Sequence, residues 1–124
     1  MNQMMKQLLS ATLLVMATTA PVWAHGGGAA KHGGIVQTEH DLSFELVATD
    51  GGAALYVEDH GQPVASEGLS GKLTVLSAEG SQEAALVPGA GRLEATGVTL
   101  TPGAKVVATV AHDDHPITVR FTVK

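Results

Sequence analysis

The chain has 124 residues, with 12 Asp and Glu against 7 Lys and Arg, no cysteine, and one Trp, one Tyr and two Phe. Its formal charge of −5 argues against nucleic acid and anionic membrane surfaces as partners. The missing thiols exclude disulfides, thiolate zinc sites, blue-copper sites and iron–sulfur clusters, so a single domain of this size must hold together by packing alone.

Residues 1–24 carry the three parts of a secretory signal peptide. Lys6 supplies positive charge, Leu8 to Ala17 is apolar, and Val22-Trp23-Ala24 is a small-x-small cleavage site. A membrane-spanning helix needs about 20 apolar residues. This run is shorter and is interrupted by Thr18, Thr19 and Pro21. The expectation is an exported protein, cleaved after Ala24 and not embedded in the membrane. Cleavage removes all four Met and the only Trp, and leaves all six His and all fifteen Gly.

The mature chain then opens on His25, whose α-amine and imidazole can together chelate a metal. Residues 25–34, with His25-Gly26-Gly27-Gly28 and His32-Gly33-Gly34, read as a flexible Gly- and His-rich arm. From Ile35 the pattern is strand-like. Leu42, Phe44 and Leu46 alternate with Ser43 and Glu45, and Ile117, Val119, Phe121 and Val123 alternate with Thr118, Arg120 and Thr122. Further β runs fall at 53–58, 72–77, 83–87, 92–95 and 104–111. Turn signals separate them: Asp50-Gly51-Gly52, Gly61-Gln62-Pro63, Gly80-Ser81, Pro88-Gly89, Pro102-Gly103 and Asp113-Asp114. No stretch after residue 24 has a helical period. Residues 35–124 are thus expected to form one all-β domain, an antiparallel β-sandwich of about seven or eight short strands. Its architecture would be immunoglobulin-like, without the Trp and Cys marks of that fold.

A hairpin of 42–48 with 53–58, turning at Asp50-Gly51, sets His60 opposite Asp41 and His40 opposite Gly61. His40 and His60, with Asp41 and Asp59, then share its open end. If strand 35–37 pairs beside this hairpin, His25 and His32 on the arm converge on the same place. His112-Asp113-Asp114-His115 reads as a β-turn that brings its two imidazoles close and offers a secondary site. The plain alternative is that these are solvated residues in polar turns.

Neutral imidazole, amine and carboxylate suit divalent transition metals, Cu²⁺ or Zn²⁺ first and Co²⁺ or Ni²⁺ next. Cu(I) and Ag(I) favour thiolate and thioether, and residues 25–124 have neither. The candidate ligands are His25, His32, His40 and His60, with His112, His115 and Asp59 secondary.

Three runs, His32-Gly33-Gly34-Ile35-Val36, Phe44-Glu45-Leu46-Val47 and Leu55-Tyr56-Val57-Glu58-Asp59-His60-Gly61-Gln62-Pro63-Val64, occur in this order. Together they resemble a family of small periplasmic bacterial proteins, and the N-terminal extra domain of heavy-metal efflux adaptor (membrane fusion) subunits. Gly71 to Leu76 and Val119 to Thr122 look similar too. The resemblance implies a periplasmic β-sandwich that handles divalent metals beside a cation-efflux adaptor or pump. His32, Asp59 and His60 are the positions that match.

Enzymatic readings find little support. His25-Gly26-Gly27-Gly28 resembles a lipase oxyanion loop, but no Gly-x-Ser-x-Gly accompanies it. A copper oxygenase needs a substrate face that a chain so poor in aromatics does not offer. The reading is a non-enzymatic metal-binding protein that buffers metal or delivers it for efflux. The alternative is a β-sandwich interaction module that docks on a periplasmic partner without metal.

Overall fold

Alternation of apolar and polar residues drives the backbone into strands that bury one face and wet the other. The computed structural model describes residues 29–124. The signal segment and His25 lie outside that range. Nine strands form: β1 (Ile35–Glu39), β2 (Leu42–Thr49), β3 (Gly52–Asp59), β4 (Gln62–Pro63), β5 (Leu69–Ser77), β6 (Gly80–Pro88), β7 (Leu93–Thr96), β8 (Lys105–His112) and β9 (His115–Thr122). A single 3₁₀ turn at Ser66–Gly68 is the only helical element among the described residues.

The strand order is β1-β2-β3-β7-β6-β5-β8-β9, antiparallel throughout, with β4 paired to β3. Strand β6 joins the two halves. It runs along β5 from Gly80 to Leu86, then passes to β7 through Val87 and Pro88. The sheet therefore folds onto itself as two facing layers and almost closes, with β1 and β9 as its two edges. This is the all-β, sandwich-like architecture that the alternation predicts.

The residues that β2 and β3 turn inward, Phe44, Leu46 and Leu55, meet Leu73, Val75, Val106, Val110, Val119 and Phe121 from the other layer, all essentially without solvent contact. The register of the β2–β3 hairpin is the one expected: Leu42 faces Asp59, Phe44 faces Val57 and Leu46 faces Leu55. Two features escaped the sequence pattern. Strand β4 is only two residues long, and the 3₁₀ turn is too short to show a period.

Gly71 sits mid-sheet on β5, paired with Leu86 on one side and Val110 on the other. A Cβ there would run into the Thr109 carbonyl oxygen of β8, whereas one at Gly68 would meet nothing. Gly71→Ala should therefore lower unfolding stability by about 1–3 kcal/mol, as overpacked positions do. Gly68→Ala should stay within about 0.5 kcal/mol. Urea unfolding followed by circular dichroism checks both, and equal midpoints would refute the close approach.

Candidate functional site

Three hairpins turn at the same end of the molecule. Each uses a two-residue turn with both residues at positive φ: His40 and Asp41 (52° and 65°), His60 and Gly61 (52° and 82°), and Asp113 and Asp114 (50° and 63°). Such pairs define type I′ turns, whose twist matches that of the strands they join. Asn-Gly is the favoured occupant, since a side chain in this region costs about 1–2 kcal/mol. Asp and His are among the residues that tolerate it best. Among the described residues, the five non-glycine residues at positive φ are all His or Asp, and all lie in these three turns.

The same alternation that builds the core aims side chains at this end. On β8, Val106, Ala108 and Val110 are buried, and His112 is next in phase. On β9, Ile117, Val119 and Phe121 are buried, and His115 precedes them in phase. His112 and His115 are directly paired across the hairpin, so both imidazoles stand on the core side of the sheet. On β3, Leu55 and Val57 are followed in phase by Asp59, which faces Leu42.

These groups border one cavity of about 570 Å³. Leu42 and Ile117 give it an apolar floor; His40, His60, His112, His115, Asp59 and Asp113 stand around it. The hairpin-end pair and the 112–115 turn, separate in the sequence reading, thus come together. Asp59 Oδ1 pairs with His60 Nδ1. An Nδ1–H donated to this carboxylate leaves Nε2 as the free lone pair, the arrangement in which a carboxylate orients a ligating histidine. His112 Nε2 lies 3.8 Å from Asp113 Oδ2. Among the described residues no three His, Asp or Glu side chains already converge as a closed metal cage would require. The side chain of His60 is 83% exposed and that of His112 is 36% exposed, so both are free to turn toward a shared ion.

His32 is elsewhere. Its ring stacks on Tyr56, with centroids 3.6 Å apart and planes 8° from parallel. Tyr56 stands three residues before Asp59 on β3, roughly 10 Å along the strand at about 3.3 Å per residue. The structure therefore does not bring His32 together with His40 and His60. The cause is Glu45, a buried carboxylate on the outer face of β2. It accepts hydrogen bonds from the backbone N–H groups of Lys31 (3.0 Å), His32 (2.8 Å) and Gly34 (2.8 Å). Lys31 Nζ adds an ion pair with Glu58 at 3.0 Å. Arg92 supports Tyr56 from below, donating to its hydroxyl at 2.9 Å and to Glu94 at 3.0 Å. Residues 31–34, read above as part of a flexible arm, are thus tied to the sheet. Sequence reasoning did not single out Glu45 for this role. The available signal was a carboxylate inside the apolar run Phe44, Leu46 and Val47.

Burial pushes the Glu45 carboxyl up, but the N–H donors of Gly34, Lys31 and His32, helped by the field of the His32 imidazole, outweigh it and hold the group below its ordinary value. A carboxyl that is more acidic folded than unfolded adds stability above the ordinary carboxylate range. That stability is lost as pH falls through the lowered value.

Comparison with family models, with curated proteins and with solved structures returns no match for this chain.

Two outcomes are expected. Glu45→Gln should release residues 31–34 and cost about 1–3 kcal/mol at neutral pH. Amide exchange of His32 and Gly34 and urea unfolding would read this, and the two proteins should converge in stability at strongly acid pH. An unchanged exchange pattern would dismiss the latch. Asp114→Gly, which relieves a left-handed aspartate, should instead raise stability by about 0.5–1 kcal/mol. A lower thermal midpoint would refute that turn assignment.

Proposed function

We propose that this chain binds a divalent transition metal, Cu²⁺ or Zn²⁺ in the first instance, at the three-turn end of the sandwich. It would hold the ion reversibly in the periplasm, as a buffer or as a carrier to a cation-efflux system. The observation that carries this reading is the gathering of His40, His60, His112 and His115 around one cavity. They come from three turns far apart in sequence, with Asp59 already oriented on His60. Imidazole nitrogen with a carboxylate neighbour is the donor chemistry that such ions select.

The exposed rim supports exchange over permanent retention. A structural site is closed by four fixed ligands, whereas these ligands sit on turns open to solvent. Delivery for efflux rests on the resemblance of the segments around His32, Glu45 and Asp59-His60 to adaptor-associated periplasmic proteins. Export rests on the signal-peptide pattern of residues 1–24. His32, stacked on Tyr56, would be an auxiliary donor apart from the cavity, and His25, outside the described residues, stays a candidate ligand. The other reading, a module that docks on a protein partner, is favoured by a different surface described below.

Calorimetric titration of the mature protein with Cu²⁺ and Zn²⁺ decides the matter. The expected affinity is tighter than about 10 μM, which corresponds to about 7 kcal/mol. His60→Ala and His112→Ala should each weaken it about tenfold, and the double variant by more than either alone. Acidification should release the ion as imidazoles take up protons. Binding that survives the double variant unchanged would move the site to the arm, and no binding at all would remove the proposal.

A further inference from the structure

The end of the sandwich opposite the three turns holds a second feature. Strands β1 and β9 are the two edges of the nearly closed sheet, since β1 pairs only with β2 and β9 only with β8. Between them lies a cleft of about 750 Å³, bordered by Gly34, by the start of β1 from Ile35 to Gln37 and by the end of β9 from Arg120 to Thr122. Leu76, an apolar side chain left 45% exposed, lies along it.

Its charge sets it apart. Six cationic side chains lie among the described residues. Lys31, Lys72 and Arg92 are each paired with a carboxylate: Glu58, Glu83 and Glu94. The other three, Lys105, Arg120 and Lys124, have no carboxylate partner among the described residues, and all three line this cleft. No Asp or Glu lines it. In a chain with a formal charge of −5, the cationic side chains without a carboxylate side-chain partner among the described residues are thus collected along one seam of the sheet.

The geometry points to a docking site for an extended, acidic segment of a partner protein, laid along the cleft beside the β1–β9 seam. Leu76 offers an apolar contact for alternate side chains, and Lys105, Arg120 and Lys124 select carboxylates on the others. Charge argues against two rival occupants. Residues 1–28 contain Lys6 and no Asp or Glu. A second copy docking through β9 would bring another Arg120 and no Asp or Glu.

The test uses the mature protein and a short labelled peptide alternating Glu with Val. A peptide with Gln for Glu, free glutamate and inorganic phosphate serve as comparisons. Fluorescence anisotropy should show binding of the acidic peptide that weakens with added salt. Amide shifts should concentrate at residues 34–37 and 120–124. The variant K105Q/R120Q/K124Q, altered only at exposed positions, should bind at least about tenfold more weakly. Equal binding of the Gln peptide would overturn the proposal, and this comparison needs no variant. The same shifts with phosphate or glutamate alone would reduce the cleft to an anion site. Self-association in sedimentation, with the same amides protected, would give the seam to a second copy.

Discussion

The register of the hairpins is the constraint on which everything else rests. A strand has a period of two, so a slip of one residue exchanges its buried and solvent faces. Here the two-residue I′ turns at His40-Asp41, His60-Gly61 and Asp113-Asp114 fix that register three times at the same end. With it fixed, Phe44, Leu55, Val110 and Ile117 fall inside, and the next residues in phase, Asp59, His112 and His115, fall at the mouth. One-residue slips would bury Glu58 or Thr118 in place of Val57 or Ile117. The apolar core therefore enforces the placement of the polar end. No separate scaffold for the histidines is required.

Charge is organised as economically as the core. Three cations hold the outer faces of the sheet through Glu58, Glu83 and Glu94, while the buried Glu45 carboxylate is satisfied by backbone N–H groups alone. A buried carboxylate without donors would be several kcal/mol unfavourable. It therefore draws the N-terminal segment onto β2 and fixes the Lys31 to Gly34 backbone. The stacking of His32 on Tyr56 follows from that anchoring. What composition presents as a mobile chelating arm is, over these four residues, a strap.

Much of this was legible in the chain itself, and the limits are physical. The alternations of 42–46 and 117–123 carried the strands, because a half-buried sheet writes its period directly into the sequence. The turn at Asp50-Gly51 carried the register of β2 with β3, and hence the shared end of His40 and His60. The 112–115 turn was readable for the same reason. Convergence of these two clusters was not, because β3 and β8 are separated by three strands in the order of the sheet. Strand order is set by long-range packing that leaves no local mark. The anchoring of His32 was not legible for the converse reason. Its neighbours are glycines, which predict freedom, while the group that removes that freedom is a carboxylate 13 residues away.

The two surfaces lie at opposite ends of the same strands, and this bears on how they can work together. Strand β9 begins at His115 beside the histidine cavity and ends at Thr122 in the cationic seam. Its eight residues span roughly 25 Å at about 3.3 Å per residue. At physiological ionic strength that is about three Debye lengths, so charge arriving at one end is largely screened from the other. A segment docked in the cationic cleft would leave the histidine mouth uncovered, since the two share no lining residue. An ion at the mouth would neither block the seam nor change its field appreciably. On the two proposals above, a partner held at one end would leave the other end free to exchange an ion with solvent. Coupling between the two, if measured, would have to travel through β9 and β8 themselves. Those strands are packed on the core by Val106, Val110, Val119 and Phe121, and such close packing leaves little room for a shift in register.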